Sequence, residues 1–314
     1  MISEPSPWSE PSCSLAQKER IISLATAAGA CRVRFAKIGP VGKNEAELYR
    51  RWIGQGHNGT MDYLAKYEEV RDNPALLLDG ARSMICCAFA YDSAEIPRHE
   101  LFADYARGKD YHTVLRKRLQ PVATMMEEAL PGTKTRICID TAPLRERYWA
   151  EQSGLGWIGL NNQLFVPGVG SKVFLAEILW TADAQADAPL ADNPCTRCGA
   201  CVRACPGSSL DGCGGMDARK CLSYLTIEYR GELPGDVSLR GKRIYGCDVC
   251  QDICPLNQWK KPDKVIEEFT PSETFLQLDR TALSSLSQED FSRIFSQSAV
   301  KRAKLTELLR NLKQ

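Results

Sequence analysis

Two cysteine motifs decide how the second half of the chain folds: CTRCGACVRACP at residues 195–206 and CDVCQDICP at residues 247–255. The first has the C-x2-C-x2-C-x3-C-P spacing of bacterial ferredoxins, in which three cysteines hold one iron–sulfur cluster and the fourth reaches its neighbour. The second motif has three cysteines and needs an upstream thiolate, for which Cys213 and Cys221 are both candidates. The spacing therefore predicts two 4Fe-4S clusters in a ferredoxin-like domain.

The ferredoxin pattern also predicts which cysteines share a cluster. One cluster is expected to bind Cys195, Cys198, Cys201 and Cys254, and the other Cys205, Cys247, Cys250 and the upstream cysteine. A pair of zinc sites is the alternative, because C-x2-C pairs also suit tetrahedral zinc. Zinc has no use for a third closely spaced cysteine and a C-P ending. The remaining cysteines are interpreted as small buried hydrophobic residues: Cys13, Cys31, Cys86, Cys87 and Cys138.

The bulk properties indicate a globular protein with more than one domain. The chain has 314 residues, of which 44% are hydrophobic and 25% charged, values far from those of disordered or membrane-spanning chains. The first residues lack the basic start and apolar run of a signal peptide, so we expect a cytoplasmic protein and no membrane partner. A net charge of +1 means that any contact with nucleic acid must come from local basic patches.

Hydrophobic periodicity predicts alternating helices and strands before the cysteine motifs, which favours an α/β domain. The predicted strands are 31–38, 83–90 and 135–139, and the predicted helices are 14–30, 111–130, 144–152, 288–295 and 299–312. The Ala/Asp/Pro-rich stretch at 181–193 predicts a linker. The expected domains are residues 1–190, 191–265 and 266–314.

Several long segments, in a shared order, resemble the epoxyqueuosine reductase family. The longest, residues 137–179, reads ICIDTAPLRERYWAEQSGLGWIGLNNQLFVPGVGSKVFLAEIL. Others are GTMDYL (59–64), ARGKDYHTVLRKRL (106–119), DARKCLSYLTIEYRGELP (217–234), RIYGCDVCQDICPLN (243–257) and FSQSAVKRAKLTELLRN (295–311). Members of this family complete queuosine synthesis in bacterial tRNA, and they are related to reductive dehalogenases.

The resemblance implies an α/β (α+β) cobalamin-binding domain, a ferredoxin-like domain with two 4Fe-4S clusters and a short helical C-terminus. It favours Cys221 over Cys213 as the eighth cluster ligand. It also implies a tRNA anticodon stem-loop carrying epoxyqueuosine as substrate, and a low-potential donor such as flavodoxin or a ferredoxin-like protein. The cobalamin contacts that it implies are Tyr63, Tyr105, Asp140, Gly156, Trp157, Leu164, Ser223 and Asp248.

Asp140 is the candidate catalytic residue. It directly follows a predicted strand, and open α/β sheets bind ligands at the carboxyl ends of their strands. An Asx turn or a helix-start cap would also suit the sequence DTAP, whereas the resemblance implies a proton donor. We interpret His112 as a surface residue beside Arg116 and Lys117, and not as a cobalt ligand.

Departures from the family pattern occur at Leu160, where Lys is usual, and at Lys172 and Val173, where aromatic residues are usual. Basic residues cluster at 107–118 and 299–314, and these clusters predict either phosphate contacts with tRNA or a solvated surface. The alternatives to tRNA reduction are a reductive dehalogenase-like or corrinoid-reducing enzyme that acts on a small molecule, and a non-enzymatic electron carrier.

Overall fold

The computed structural model describes residues 11–234, 243–258 and 265–313. The predictions for the Pro/Ser-rich start and for most of the charged stretch after Trp259 lie outside these residues. No helix in the described ranges is long and apolar enough to cross a membrane.

The strands are β1 (Arg32–Lys37), β2 (Ser83–Ala90), β3 (Thr135–Cys138), β4 (Trp157–Ile158), β5 (Leu164–Phe165) and β6 (Val173–Trp180). The α-helices are α1 (Leu15–Ala27), α2 (Lys43–Gly54), α3 (Asp62–Ala65), α4 (Glu68–Asp72), α5 (Tyr111–Ala129), α6 (Glu146–Gln152), α7 (Ala200–Ala204), α8 (Leu222–Ile227), α9 (Val249–Asp252), α10 (Glu273–Leu276), α11 (Arg280–Ser284), α12 (Gln288–Phe295) and α13 (Lys304–Leu312). Short 3-10 helices cover Pro74–Leu77, Asp104–Ala106, Ala218–Lys220, Pro255–Gln258, Glu267–Phe269 and Ala299–Ala303.

A four-stranded sheet with the order β1-β2-β6-β3 organises the first part of the chain. Every neighbouring pair is antiparallel, with Cys86 opposite Glu177 between β2 and β6, and Cys138 opposite Glu177 between β3 and β6. The sheet is therefore antiparallel, which corresponds to the α+β form of the expected α/β (α+β) fold class. Alternation of helices and strands along a chain does not fix strand direction, because a long crossover can return the chain either way.

The sheet separates two apolar layers, since successive side chains on a strand point to opposite faces. On β6, Phe174, Ala176 and Ile178 pack with α1 and α5, whereas Leu175 and Leu179 face α6 and the β4–β5 hairpin. Strand β2 is buried along its whole length because it lies inside the sheet and is covered on both faces. Its unbroken apolar sequence, SMICCAFA, is the signature of such a strand.

Most of the predicted helices begin and end within a few residues of their predicted bounds. Ser14 and Gln17 form the predicted capping box at the start of α1. The prediction of one helix at 299–312 is wrong, because a 3-10 turn gives way to α13 at Lys304, whose φ is +59°. Left-handed backbone at a non-glycine residue interrupts a right-handed helix.

The cysteine-rich region packs closely against the first part of the chain. The predicted linker is anchored, because the Asp187 carboxylate accepts hydrogen bonds from the Phe35 N–H and from Lys18, both at 2.8 Å. Further along, the Trp52 indole donates to the Met216 carbonyl at 2.6 Å, and the Thr60 N–H donates to the Tyr224 hydroxyl at 2.9 Å. The C-terminal helices share an apolar core with the segment around Phe102.

Candidate functional site

A large cavity, about 1760 Å³ in volume, lies between the sheet domain, the cysteine-rich region and the C-terminal helices. Ordinary small-molecule pockets measure roughly 300–1,000 Å³, so this cavity suits an unusually large ligand. Its wall includes residues from each part of the chain: Tyr63, Tyr105, Tyr111, His112, Asp140, Glu146, Ile227, Tyr245, Lys301 and Arg302.

Asp140 lies on the cavity wall directly after β3, in a tight loop. Its φ is +53°, a left-handed conformation that Asp tolerates better than most residues do. The Asp140 N–H donates to Glu146 Oε1 at 2.5 Å, and the Thr141 N–H donates to the Ile139 carbonyl at 2.5 Å. The Asp140 side chain is 56% exposed and points into the cavity, so the loop presents this carboxyl to whatever the cavity binds.

His112 bridges two carboxylates at the start of α5. Its Nε2 lies 3.0 Å from Asp140 Oδ2, and its Nδ1 lies 2.7 Å from Asp110 Oδ1. Burial alone would lower the pKa of His112, but hydrogen bonds to Asp110 and Asp140 raise this pKa to about 9. His112 is therefore an imidazolium that donates from both nitrogens at neutral pH, and its interpretation as a surface residue is wrong.

The surroundings of His112 hold this arrangement in place. Burial would raise the pKa of Asp110, but hydrogen bonds from His112 and Lys301 hold it well below its usual range. Tyr111 stacks on His112, with ring centroids 4.1 Å apart, and on Phe174 at 4.3 Å. Burial raises the pKa of Tyr111, and the Asp140 carboxylate raises it further, so the Tyr111 hydroxyl keeps its proton.

Three of the predicted cobalamin contacts line the cavity: Tyr63, Tyr105 and Asp140. The Tyr63 side chain is 45% exposed and carries the Arg302 guanidinium over its ring at 5.8 Å. The Tyr105 hydroxyl donates to the Tyr245 hydroxyl at 3.3 Å, and the Tyr245 hydroxyl donates to the Ala299 carbonyl at 2.6 Å. These contacts tie the cavity wall to the C-terminal segment.

The other five predicted contacts are not among the residues that line this cavity. Gly156, Trp157 and Leu164 lie together in the buried β4–β5 hairpin, where a Cβ on Gly156 would meet the Phe165 carbonyl oxygen at 2.1 Å. This glycine thus serves close backbone packing within the hairpin. Asp248 is buried, accepts the Asp104 N–H at 2.8 Å and pairs with Arg243 at 3.2 Å. Ser223 belongs to α8, beside Cys221.

One group of thiols gathers around Cys254. Burial raises the pKa of Cys254, and the neighbouring thiols of Cys195 and Cys198 raise it further. Burial also raises the pKa of Cys201, which has Cys254 and Cys195 as neighbours. Cys198 is exposed at the protein surface. The structure thus brings together the four cysteines that the ferredoxin pattern assigns to one cluster.

A second group of thiols gathers around Cys250. Burial raises the pKa of Cys250, and the thiols of Cys247, Cys221 and Cys205 raise it further. Cys213 is exposed at the protein surface, and its carbonyl accepts a hydrogen bond from Arg197 at 3.1 Å. In the described ranges, no three His, Cys, Asp or Glu side chains are arranged to hold a single metal ion.

Two of the three departures from the family pattern, Leu160 and Lys172, lie near the cysteines and are not among the residues that line the large cavity. Leu160 packs against Cys201 and Leu210, with Cys195, Cys205 and Cys250 around them. Lys172 is buried and pairs with Asp104 and, at 2.7 Å, with Asp252 in α9. Both substitutions therefore change the packing between the sheet domain and the cysteine-rich region.

The two basic segments divide between internal contacts and the cavity rim. Arg107 is buried against Asp92 at 3.1 Å, and Arg310 donates to the carbonyls of Leu225 and Tyr229. Lys301 pairs with Asp110 at 2.8 Å, and Arg302 with Glu228 at 2.8 Å. The exposed lysines of these segments include Lys117, at the cavity rim, and Lys304.

Sequence reasoning missed the partners of Asp140, namely His112, Asp110 and Glu146. Asp110 and His112 have the spacing of an N-cap and its second helical residue, and the structure has that cap at 3.1 Å. That signal finds the start of α5 but not the contact with Asp140, which is 28 residues away. Only the packing of α5 against β3 brings the two segments together.

Comparison with known proteins agrees with this architecture. The profile described as "Epoxyqueuosine reductase QueG, DUF1730" matches residues 71–141, and that of a 4Fe-4S double cluster binding domain matches residues 194–257. Epoxyqueuosine reductase of Gloeobacter violaceus is 37% identical over 301 residues, which are 93% of each chain. That of Leadbetterella byssophila is 36% identical over 282 residues, covering 86% of this chain and 89% of its own.

Solved structures give the same result. A crystal structure of epoxyqueuosine reductase with an epoxyqueuosine-modified tRNA-Tyr stem loop has a TM-score of 0.84 and 29% identity, covering 95% of this chain and 80% of that one. The Bacillus subtilis enzyme, with its catalytic aspartate loop swung out of the active site, has a TM-score of 0.85, 27% identity and the same coverage.

The fold and the matched profiles define an iron–sulfur oxidoreductase with a double 4Fe-4S cluster domain joined to an α+β domain. More particularly, the chain belongs to the epoxyqueuosine reductase family.

Proposed function

We propose that this protein reduces epoxyqueuosine to queuosine at the wobble position of tRNA, with cobalamin in the large cavity and two 4Fe-4S clusters as an electron relay. The observation that carries this proposal is one cavity that has the Asp140–His112 pair on its wall and is also lined by Ile227 and Tyr245, from the cysteine-rich region. The relatives named above support the substrate and the reaction.

The proposed cluster ligands are the two groups of four thiols. One cluster is held by Cys195, Cys198, Cys201 and Cys254, and the other by Cys205, Cys221, Cys247 and Cys250. The neighbours of Cys254 and Cys250 support this division, because each lies beside members of its own set. They also support Cys221 over Cys213 as the eighth ligand.

Exposure of the thiols supports a direction for electron flow. Cys198 in the first set is exposed, so this cluster would accept electrons from a soluble donor. The second set is nearer the cavity in sequence and in space: α8, which begins after Cys221, ends at the cavity residue Ile227, and Tyr245 precedes Cys247 by two positions. We propose a low-potential flavodoxin or ferredoxin-like protein as the donor.

The cavity fits cobalamin in size and in lining. Its volume exceeds that of ordinary pockets, as a macrocycle with a long tail requires. Apolar and aromatic side chains, including Ile139, Leu144 and Tyr105, give a flat ring apolar contacts, and Asp140 gives the reaction centre a carboxyl group. When bound, cobalamin would supply the strong reductant or nucleophile that removal of an epoxide oxygen requires.

In this proposal the chain's own residues provide acid and orientation. Asp140 would deliver a proton to the epoxide oxygen, because its carboxyl faces the cavity. His112 would orient that carboxyl and supply the proton that Asp140 passes on, since the imidazolium Nε2 is 3.0 Å from Asp140 Oδ2. The Asp140 loop would correspond to the catalytic aspartate loop of the Bacillus subtilis relative, which has been observed swung out of the active site.

The rim of the cavity would hold the anticodon stem-loop. Arg116, Lys117, Arg147 and Arg302 line the cavity or its opening and would contact phosphates, which position an RNA without reading its sequence. Selection would then come from the modified base in the pocket. We also propose a cytoplasmic location, supported by cysteine motifs that need a reducing compartment, and the domain division 1–190, 191–265 and 266–314.

The test compares two substrates, epoxyqueuosine-containing tRNA and a halogenated phenol, and also measures whether the protein retains cobalamin. Anaerobically reconstituted protein is incubated with cobalamin, a strong reductant and epoxyqueuosine-containing tRNA, and the digested nucleosides are identified by mass spectrometry. Conversion to queuosine supports the proposal. Activity on a halogenated phenol but not on tRNA would indicate a dehalogenase-like enzyme, and failure to retain cobalamin would indicate an electron carrier.

A further inference from the structure

The Asp140 loop is held in a conformation that it does not favour by itself. Asp140 is one of six non-glycine residues with positive φ among those described, and the preceding strand and the following helix both prefer right-handed or extended backbone. A residue keeps such a conformation only when surrounding contacts outweigh the strain. A particular contact must therefore stabilise this loop.

Glu146 makes that contact. It is the first residue of α6, and its Oε1 accepts the Asp140 N–H at 2.5 Å, across the loop that joins β3 to the helix. The contact is with the backbone of Asp140, whose side chain is thereby left free to face the cavity and His112. Glu146 thus contacts the backbone of the loop from α6, whereas His112 contacts the Asp140 side chain from α5.

Charged and titratable groups surround the Glu146 carboxyl. Burial raises the pKa of Glu146, and the Asp140 carboxylate raises it further, whereas Arg147 and His112 lower it. Beneath it on β6, Glu177 is fully buried, and neither of its carboxyl oxygens has a hydrogen-bond partner among the described residues. Burial and the nearby Glu146 raise the pKa of Glu177.

Cys86 on β2 and Cys138 on β3 also lie near these carboxyls. Charge on Glu146 and Glu177 raises the pKa of both thiols. A carboxyl that is buried without a partner stays neutral, because its charged form costs far more in an apolar environment. The layer under Glu146 is therefore uncharged. Among the described residues, the Asp140 N–H donates to the Glu146 side chain.

We propose that Glu146 is a positioning residue that holds the Asp140 loop in the orientation in which the Asp140 carboxyl faces the cavity. This inference rests on the proposed function of Asp140 as proton donor. Among the described residues, the Glu146 side chain makes its hydrogen bond with the Asp140 backbone, and in this role it acts through Asp140. Release of this hydrogen bond would let the loop leave the wall of the cavity.

Hydrogen–deuterium exchange of the loop tests this role without any turnover. We compare the parent with Glu146→Ala, which removes the acceptor, and with Glu146→Gln, which keeps the size and a neutral acceptor. Loss of one hydrogen bond of this kind should speed exchange of the loop amides by about tenfold in Glu146→Ala. Glu146→Gln should exchange at nearly the parent rate, because burial and the Asp140 carboxylate raise the pKa of Glu146 to about 8, so that the parent's carboxyl is mostly neutral at pH 7, as the Gln amide is.

Glu151→Ala is the matched control, since Glu151 lies on the same helix and its Oε1 accepts the Ile158 N–H at 2.8 Å. Faster exchange should appear near Ile158 in that variant and near Asp140 in Glu146→Ala. Equal exchange of the Asp140 loop in the parent, Glu146→Ala and Glu146→Gln would overturn the positioning role. General loosening of the sheet domain in both alanine variants would overturn it as well.

Kinetics separate positioning from a merely structural effect. If Glu146 orients Asp140, Glu146→Ala lowers kcat for tRNA reduction by about tenfold and leaves KM for tRNA unchanged, whereas Glu146→Gln, which keeps the acceptor, retains most of the parent's kcat. A change in KM alone would contradict the role. Exchange is measured without substrate, so the two proposals can fail separately. If the parent does not reduce epoxyqueuosine tRNA but exchange of its Asp140 loop depends on Glu146, the proposed reaction is contradicted and the positioning role is supported.

Discussion

Replacing Asp140 by Asn separates the catalytic role of this residue from a structural one. The substitution keeps the size of the side chain, and Asn tolerates the left-handed backbone at φ +53° as Asp does. The Asp140 N–H would still donate to Glu146 Oε1. The loop should therefore keep its shape, while the side chain loses its capacity to act as an acid.

The two effects of this change differ widely in size. The ion pair with His112 is 56% exposed on the Asp140 side, so its loss should cost less than about 1 kcal/mol of stability. Loss of general acid catalysis commonly lowers turnover by about a hundred- to ten-thousand-fold. That corresponds to roughly 3 to 5 kcal/mol in the activation free energy. Activity should thus collapse in a protein that remains folded.

The assay is single-turnover conversion of epoxyqueuosine tRNA, with cobalamin content, iron content and tRNA affinity measured on the same preparation. Asp79→Asn is the matched control, because Asp79 is exposed and is not among the residues that line the cavity. Normal turnover in Asp140→Asn would show that the proton comes from water or another group. Loss of folding or of cobalamin would instead support a turn-forming role for Asp140.

Three further predictions concern the clusters, the tRNA and the core. Cys221→Ser should lower the iron content from about eight atoms per chain, the number that two four-iron clusters require, whereas Cys213→Ser should leave it unchanged; equal loss in both would contradict the ligand set. Lys117→Glu with Lys304→Glu should weaken binding of all tRNA species alike and reduce the salt slope by about one per lost phosphate contact. The control is Lys134→Glu, because Lys134 is exposed and is not among the residues that line the cavity. An unchanged salt slope in the double variant would show that Lys117 and Lys304 belong to a solvated surface. Glu177→Gln should raise the free energy of unfolding at pH 7 more than at pH 4.5. Burial and the nearby Glu146 raise the pKa of Glu177 in the folded protein well above its ordinary value of 4.5, so keeping this carboxyl neutral costs the folded protein stability as pH rises past that value. Equal thermal shifts at both pH values, measured by calorimetry, would contradict a neutral buried Glu177.

The cluster motifs are local patterns, and the sequence alone sufficed to predict a double-cluster domain there. Spacing within CTRCGACVRACP predicts three thiols that can reach one cluster, Cys195, Cys198 and Cys201, since they lie within a few residues of each other. The matched domain at residues 194–257 confirms that prediction. Element types were likewise accessible, because the capping box at Ser14 and the apolar run of β2 are local signals.

Tertiary structure alone decided the strand directions and the surroundings of Asp140. Alternating helices and strands suit a parallel sheet and an antiparallel one equally, and only the pairing of β6 with β2 and β3 identifies this sheet as antiparallel. His112, Glu146 and Asp140 meet because α5 and α6 pack against the same sheet, and no spacing rule links residues 112 and 140. The sequence thus determined the short-range ligand patterns, whereas the acid site depends on long-range packing that no local pattern encodes.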